Sequence, residues 1–343
     1  MVLLLRNHEI RGLMDLPEYI DAVEAGYREI GLGAGIGFPR ESLYIEGDRN
    51  ESFRAGHLPA GSKASFQFKA ALLPGLGGAG IQPYTAGLPT GLETFLFLFD
   101  TNSGALTCIM EVLYYDWLKT AALSALAIRQ LAPSGSTQLA LFGTGRHARS
   151  QLHAVTKVCP IQSVKAYSRR APQRHEFCEK MTAELGIDVT PAATPSAALQ
   201  DADIVITITT SPTPVFDGAD LPDKPLHINA LGAHYPWVRE VDEFTVVNSR
   251  VFVDEWKQGF KENGEIIIPL KAGIIDESHV IGDLGGLVAG NIEGRTEDSK
   301  WTLCLSGGTA IEDVAVAARL VEKAKARGIG TEFSFNLPYE YEL

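Results

Sequence analysis

Residues 138–154 read QLALFGTGRHARSQLHA, and this stretch decides the fold. Its first five residues form an apolar run of strand length, GTG is a tight turn, and RHARSQLHA has the spacing of a helix start. Gly143, Gly145 and Ala148 occupy the three positions of a dinucleotide-binding fingerprint, whose third position tolerates Ala. Each has a physical task. The first Gly permits the sharp turn, and the second lets the backbone approach a pyrophosphate. The helix start presents free N–H groups and the positive end of its dipole to that anion. The expected cofactor cradle is therefore Gly143, Thr144, Gly145, Arg146, His147 and Ala148, with His147 also readable as a helix-surface residue.

Downstream, strands are expected at 138–142, 164–168, 203–208, 226–231 and 246–254, with helices between most of them. That alternation predicts a parallel, doubly wound sheet buried on both faces. The second strand ends in Ser168, Arg169 and Arg170, where an NAD site would place an acid for the ribose 2′-hydroxyl; the nearest acid downstream is Glu176. One hydroxyl and two guanidinium groups suit a 2′-phosphate, so NADP(H) is preferred and NAD(H) is the alternative. An arginine pair on a solvated loop is the plainer reading.

Upstream the character differs. MVLLL reads as a strand, a helix begins after the N-cap Asp15, and a Gly-rich loop, GLGAGIGFPR, follows it. From residue 42 to 110 short strands and turns predict a mostly antiparallel sheet, with DTNSG as the turn of a hairpin. TAALSALAIRQLA, beginning just past Lys119, is a small-residue helix, and a last helix over 310–326 stops at Gly328 and returns toward the first half. The expected class is α/β: a Rossmann doubly wound parallel-sheet domain (120–311) plus an α+β substrate-binding and dimerisation domain (1–119 and 312–343).

A chain of 343 residues is long enough for two such cores. The net charge of −12 opposes nucleic acid and anionic membranes as partners, and no apolar run is of bilayer length. The four cysteines form no CxxC pair, which argues against a metal site and against disulfides and favours a reducing, cytoplasmic location. An anionic small-molecule substrate then needs local cations. Arg40, in a loop after Phe38 and Pro39, is one candidate. Lys69, isolated in FQFKAALL, is another, since a buried ammonium needs a partner. Lys119, at the start of the helix joining the domains, is the third; for all three, an internal salt bridge or a surface charge is the plainer alternative. His234 lies just past a strand that ends at the carboxyl edge of the parallel sheet, and its class suits proton transfer near neutrality. A loop histidine without a catalytic task is the alternative there.

With those residues identified, the chain resembles the ornithine cyclodeaminase/mu-crystallin family over nearly its whole length. The resemblance rests on Lys69, KTAALSALA, GTGRHA, SRR, DIVITITTSPTPVF, HINALGAHYPWVREVD, FVDE and SGGTAIEDVAVAA, in that order. It implies a homodimer whose substrate domains pair through their sheets. It also implies NAD(H) or NADP(H) and an α-amino or α-imino acid substrate. Arg40, Lys69 and Lys119 fall where members grip the substrate carboxylate, Thr209 and Ser306 fall near the nicotinamide ribose and carboxamide, and Asp313 matches an acid common in the last helix. Two departures bear on the reaction. Lys119 stands where the family usually has arginine, replacing a planar fork with a point charge. His234 stands where the cyclodeaminases carry a catalytic aspartate, which the ketimine-reductase side also lacks. The expectation is reduction of the C=N bond of a cyclic or acyclic α-imino acid, with Lys69 and His234 as catalytic candidates, in the manner of a ketimine reductase, a 1-pyrroline-2-carboxylate reductase or an amino-acid dehydrogenase. The alternatives are a cyclodeaminase using catalytic NAD+ and a crystallin-type protein that binds NADPH and a small ligand without turnover.

Overall fold

Two sheets organise the computed structural model, which describes residues 1–47, 58–88, 94–232 and 234–335. The chain opens with β1 (Val2–Leu5), α1 (Asn7–Ile10) and α2 (Leu16–Gly31), then runs through β2 (Ile36–Glu46), β3 (Ser62–Leu73), β4 (Gly78–Ala86), β5 (Phe95–Asp100) and β6 (Leu106–Glu111). Asp15 caps α2, accepting from the Glu18 N–H, while the Glu18 carboxylate accepts from the Asp15 N–H. The strands pair in the order β15-β1-β6-β5-β4-β3-β2, where β15 (Thr331–Phe333) arrives from the far end of the chain. All neighbours are antiparallel except β1 and β6.

Arg40 lies within β2, not in a loop. The strand accommodates Pro39 because β2 is the edge of its sheet and its register with β3 shifts between Phe38 and Glu41, so the missing N–H breaks no regular ladder. β3 is unusual in its pattern: Ser65, Gln67 and Lys69 are buried, while Phe66 and Leu72 face outward. A strand that turns its polar residues inward presents a site on one face and an apolar surface on the other.

α3 (Leu113–Leu131) links the two sheets. It begins at Leu113 rather than beside Lys119, because LYYDW is free of Gly and Pro and continues the helix, so Lys119 sits well inside α3 and is buried. Next come β7 (Gln138–Phe142), α4 (Arg146–Val158), β8 (Ser163–Tyr167), α5 (Ala171–Leu185), β9 (Asp188–Pro191), α6 (Pro195–Leu199), β10 (Ile204–Thr207) and β11 (Leu226–Ala230). The sheet is completed by α7 (Glu243–Val247), β12 (Ser249–Val253), α8 (Trp256–Glu262), α9 (Gly264–Lys271), β13 (Val280–Asp283), α10 (Leu284–Ala289) and β14 (Trp301–Leu305). Its strand order is β13-β12-β14-β11-β10-β7-β8-β9, parallel throughout. This is the expected doubly wound architecture. The strand expected over 246–254 starts later, because Asp242 caps a helical turn that takes up Val246 and Val247.

The order of strands across the sheet reverses between β7 and β10, and at such a switch point the carboxyl ends of the strands open a crevice. α11 (Ala310–Arg327), closed by Gly328 in the left-handed region at φ 64°, leaves the parallel sheet and packs on α2, β3 and β4.

Candidate active site

The β7–α4 turn is built from backbone. Gly143 has φ +106°, and a Cβ there would sit 2.5 Å from the Ile208 carbonyl oxygen, so only glycine fits. Gly145 is the N-cap of α4 and has no side-chain cap; the Ala148 N–H turns back to the Gly145 carbonyl at 3.1 Å, the N–H groups before it receive no side-chain cap from Gly145, and a Cβ on Gly145 would meet nothing within 4 Å. Ala148 is fully buried against the sheet. Open space before uncapped N–H groups is what a pyrophosphate requires, so the residues present fit a dinucleotide. Thr144 Oγ1 lies 2.9 Å from Ser168 Oγ, joining the turn to the end of β8. Arg169 and Arg170 are exposed beside it. Arg174, overlooked in the sequence, holds this corner by donating to the Ser168 carbonyl and lying over the Tyr167 ring. Arg146 and His147 turn toward α3. The Arg146 guanidinium is 5.0 Å from the Trp117 ring centroid, and His147 Nε2 is 3.8 Å from Asp116 Oδ2.

Thr209 and Ser306 lie along the same edge. Thr209 Cγ2 is 3.2 Å from where a Gly143 Cβ would be. Ser306 receives a second strand's support, its N–H donating to the Ala230 carbonyl at 3.0 Å and its hydroxyl to Asp254 at 2.9 Å. Burial, with Glu312 adding to it, pushes the Asp254 carboxyl up to about 7.

From Ser306 the chain runs through the loop 306–309, SGGT, into α11, and the predicted cations converge there. Arg40 Nη2 donates to the carbonyls of Gly307 and Gly308, both at 2.9 Å, while Nη1 pairs with Glu262 at 2.6 Å. Lys69 Nζ donates to the Thr309 carbonyl at 2.8 Å and meets Asp313 at 2.7 Å. Lys119 Nζ reaches the other oxygen of Asp313 at 3.1 Å, Asp116 at 3.3 Å and Glu312 at 3.8 Å. His234 borders the same loop, since its Cβ is 3.4 Å from a Cβ built on Gly307.

All three cations are at most 5% exposed, and each has a carboxylate partner. The internal salt bridges are therefore real, and the cluster is balanced rather than a bare anion hole. Its donors are not exhausted: Arg40 Nε is buried with no hydrogen-bond partner among the described residues, and a buried guanidinium N–H without an acceptor calls for one. Burial pulls the Lys69 ammonium below its ordinary value, with Asp313 opposing and Lys119 reinforcing the shift. For Lys119 burial acts in the same direction, but Asp313, Asp116 and Glu312 outweigh it and raise the value. The two lysines thus differ: one is predisposed to release a proton, the other to keep its charge.

The polar side of β3 extends the wall. Gln67 donates to Ser65 Oγ at 2.8 Å and to the Tyr235 hydroxyl at 3.3 Å, and accepts from the Tyr84 hydroxyl at 2.7 Å. Gln82 pairs with Lys69 across the β3–β4 ladder. The polar alternation Ser65, Gln67, Lys69 was the sequence signal for this wall. Among the described residues no group of His, Cys, Asp and Glu could hold a metal, all four cysteines are free thiols, and no helix is long and apolar enough to cross a membrane.

Comparison with known proteins matches residues 2–328 to the model of the ornithine cyclodeaminase/mu-crystallin family. A Delta(1)-pyrroline-2-carboxylate reductase of Bacillus cereus is 30% identical over 245 residues, covering 71% of this chain and 75% of that protein. Among solved structures, the Thermococcus litoralis Delta(1)-pyrroline-2-carboxylate reductase in complex with NADH and L-proline superposes with a TM-score of 0.86 at 29% identity, covering 97% of this chain and 100% of that one. An archaeal alanine dehydrogenase dimer with bound NAD gives a TM-score of 0.86 at 28% identity, with 97% and 99% covered.

Proposed function

The chain belongs to the ornithine cyclodeaminase/mu-crystallin family, and we propose that it reduces the C=N bond of a cyclic or acyclic α-imino acid with NAD(P)H. The observation that carries this reading is the loop 306–309, which begins beside the cofactor edge at Ser306 and ends on the two cations Arg40 and Lys69. One short segment thus joins the edge of the parallel sheet to two buried cations, which supports a substrate carboxylate held beside a dinucleotide. Two of the relatives above are reductases of a cyclic imino acid and one is an amino-acid dehydrogenase, which share a C=N/CH–NH interconversion.

In this reading Arg40, through its Nε, and Lys69 take the substrate carboxylate; Lys119, expected from the sequence to share that grip, meets Asp313, Asp116 and Glu312 and is assigned here to holding Asp313 between the lysines. When bound, the dihydronicotinamide supplies the hydride that reduces the imine carbon. Lys69, its ammonium acidified by burial, gives a proton to the imine nitrogen, with His234 as the second candidate donor at the same loop. A protonated imine is the better hydride acceptor, so the proton source and the carboxylate grip act on the two groups attached to the carbon that takes the hydride. Ser168, Arg169 and Arg170 support a preference for NADP(H) over NAD(H).

The assembly is a homodimer in this reading, with 1–119 and 312–343 as the substrate-binding and pairing domain and 120–311 as the dinucleotide domain. The outward apolar face of the antiparallel sheet, with Phe38, Phe66, Leu72 and Phe95 exposed, supports pairing there. Free thiols are in keeping with a cytoplasmic setting.

The test is oxidation of NADPH by the purified protein with 1-pyrroline-2-carboxylate and 1-piperideine-2-carboxylate, with NADH in parallel and ammonia release from L-ornithine as the control. Imine-dependent oxidation, faster with NADPH, is expected. Ammonia release without imine reduction would replace the reading with cyclodeamination, and silence in both assays would leave a binding protein.

A further inference from the structure

Glu240 takes no part in the chemistry above, yet it is fully buried at the carboxyl edge of the parallel sheet. Its Oε1 accepts from the Thr209 N–H at 2.7 Å, and its Oε2 accepts from the Gly232 N–H at 2.6 Å and the Thr207 hydroxyl at 2.8 Å. Its own N–H donates to the buried Glu265 at 2.8 Å, so the backbone that carries it is held as well. Burying a carboxylate is costly, and an apolar residue of similar size would pack without that cost. What the carboxylate does and an apolar group does not is satisfy two backbone N–H groups from two different loops with one rigid planar acceptor. Those loops follow the adjacent strands β10 and β11, on the β10 side of the switch point. Thr209 abuts Gly143 of the cradle, and Gly232 leads within two residues to His234.

We infer that Glu240 is a positioning residue, a clamp that fixes the loops after β10 and β11 to one another so that Thr209 is presented to the bound dinucleotide. The inference rests on reading this edge as the nicotinamide side of a dinucleotide site. Glu240→Gln keeps the volume but turns an amide NH2 toward one of the three donors. Thr207→Val removes the strand hydroxyl and neither loop contact.

The experiment is a fluorescence titration of each protein with NADPH, alongside thermal unfolding. The Gln variant is expected to raise the NADPH Kd about tenfold or more, the loss expected for a hydrogen bond to a charged group, while Thr207→Val melts earlier but stays within about threefold of wild type. A folded Glu240→Gln protein with wild-type Kd overturns the clamp, as does a Thr207→Val protein weakened equally. If the Gln variant does not fold, Glu240→Asp, one methylene shorter, is titrated in its place: a weakened NADPH Kd supports the clamp and a wild-type Kd overturns it. Failure of wild type to bind NADPH or NADH overturns the dinucleotide reading and the clamp together, whereas wild-type binding with an indifferent variant overturns the clamp alone.

Discussion

The cofactor cradle and the cation cluster face each other across one loop, but they are made of different material. The cradle is backbone: a glycine with positive φ, a second glycine facing open space, and helix N–H groups with no side-chain cap. The cluster is side chain: Arg40 from β2, Lys69 from β3, Lys119 from α3, and acids from α8 and α11, every cation buried and paired. A backbone site tolerates little change in one short segment. A charge-balanced site depends on distant segments arriving together, and removing one partner leaves another charge uncompensated.

The largest effect that tests this contrast is expected from Lys69→Ala. Loss of a general acid should lower kcat for imine reduction by roughly 10²–10⁴-fold, with the NADPH Kd nearly unchanged because Lys69 contacts Thr309 and Asp313 and no residue of the cradle. Steady-state kinetics beside a binding titration reads both. Full activity in the variant would remove Lys69 from the mechanism.

Next in size is the cradle's own asymmetry. Gly143→Ala should unfold or markedly destabilise the protein, since the added carbon meets a carbonyl at 2.5 Å. Gly145→Ala meets nothing within 4 Å and should keep the melting temperature, yet weaken NADPH by about tenfold or more, since it fills the space a pyrophosphate needs. Equal melting losses in the two variants would erase the distinction between a fold glycine and a ligand glycine.

A smaller change is expected at the exposed corner. The double substitution of Arg169 and Arg170 by Ala should reduce NADPH affinity about tenfold relative to NADH, which lacks the 2′-phosphate. Parallel loss of both affinities would mean the pair reads the pyrophosphate or nothing at all.

The smallest concerns stability rather than chemistry. His227, buried within the central strand β11 between Thr302 and Asn229, has its pKa pulled down to about 3 by burial. The folded form therefore holds the ring neutral while the unfolded chain takes up a proton below its ordinary value near 6.5. Its stabilising contribution is complete above that value and fades as pH falls toward 3, at roughly 1 kcal/mol per pH unit. Melting curves over that window should flatten in His227→Asn. An unchanged acid slope would assign the loss to other groups.

Legibility followed the same division between backbone and side chain. The cradle was readable because its requirements are local: residues 138–154 specify strand, turn and helix by periodicity and by glycines whose conformations other residues rarely adopt. Lys69 was readable as an anomaly, an ammonium in an apolar strand. The carboxylates that answer the cations were not. Glu262 and Asp116 look like ordinary helix-surface acids in the sequence, Glu240 like a loop acid, and Glu312 like the capping partner of Thr309, which it also is.

By itself, then, the sequence determined the α/β class, the parallel sheet, the strand–glycine turn–helix at 138–154 and the positions of its isolated cations, since each depends on neighbours a few positions apart. Only the tertiary structure decided that Arg40 lies in an edge strand, that Lys69 and Lys119 share Asp313, and that loop 306–309 unites cofactor edge and cations. The physical reason is that a charge's worth is set by the burial and partners around it, and those come from segments more than two hundred residues apart, such as Lys69 and Asp313.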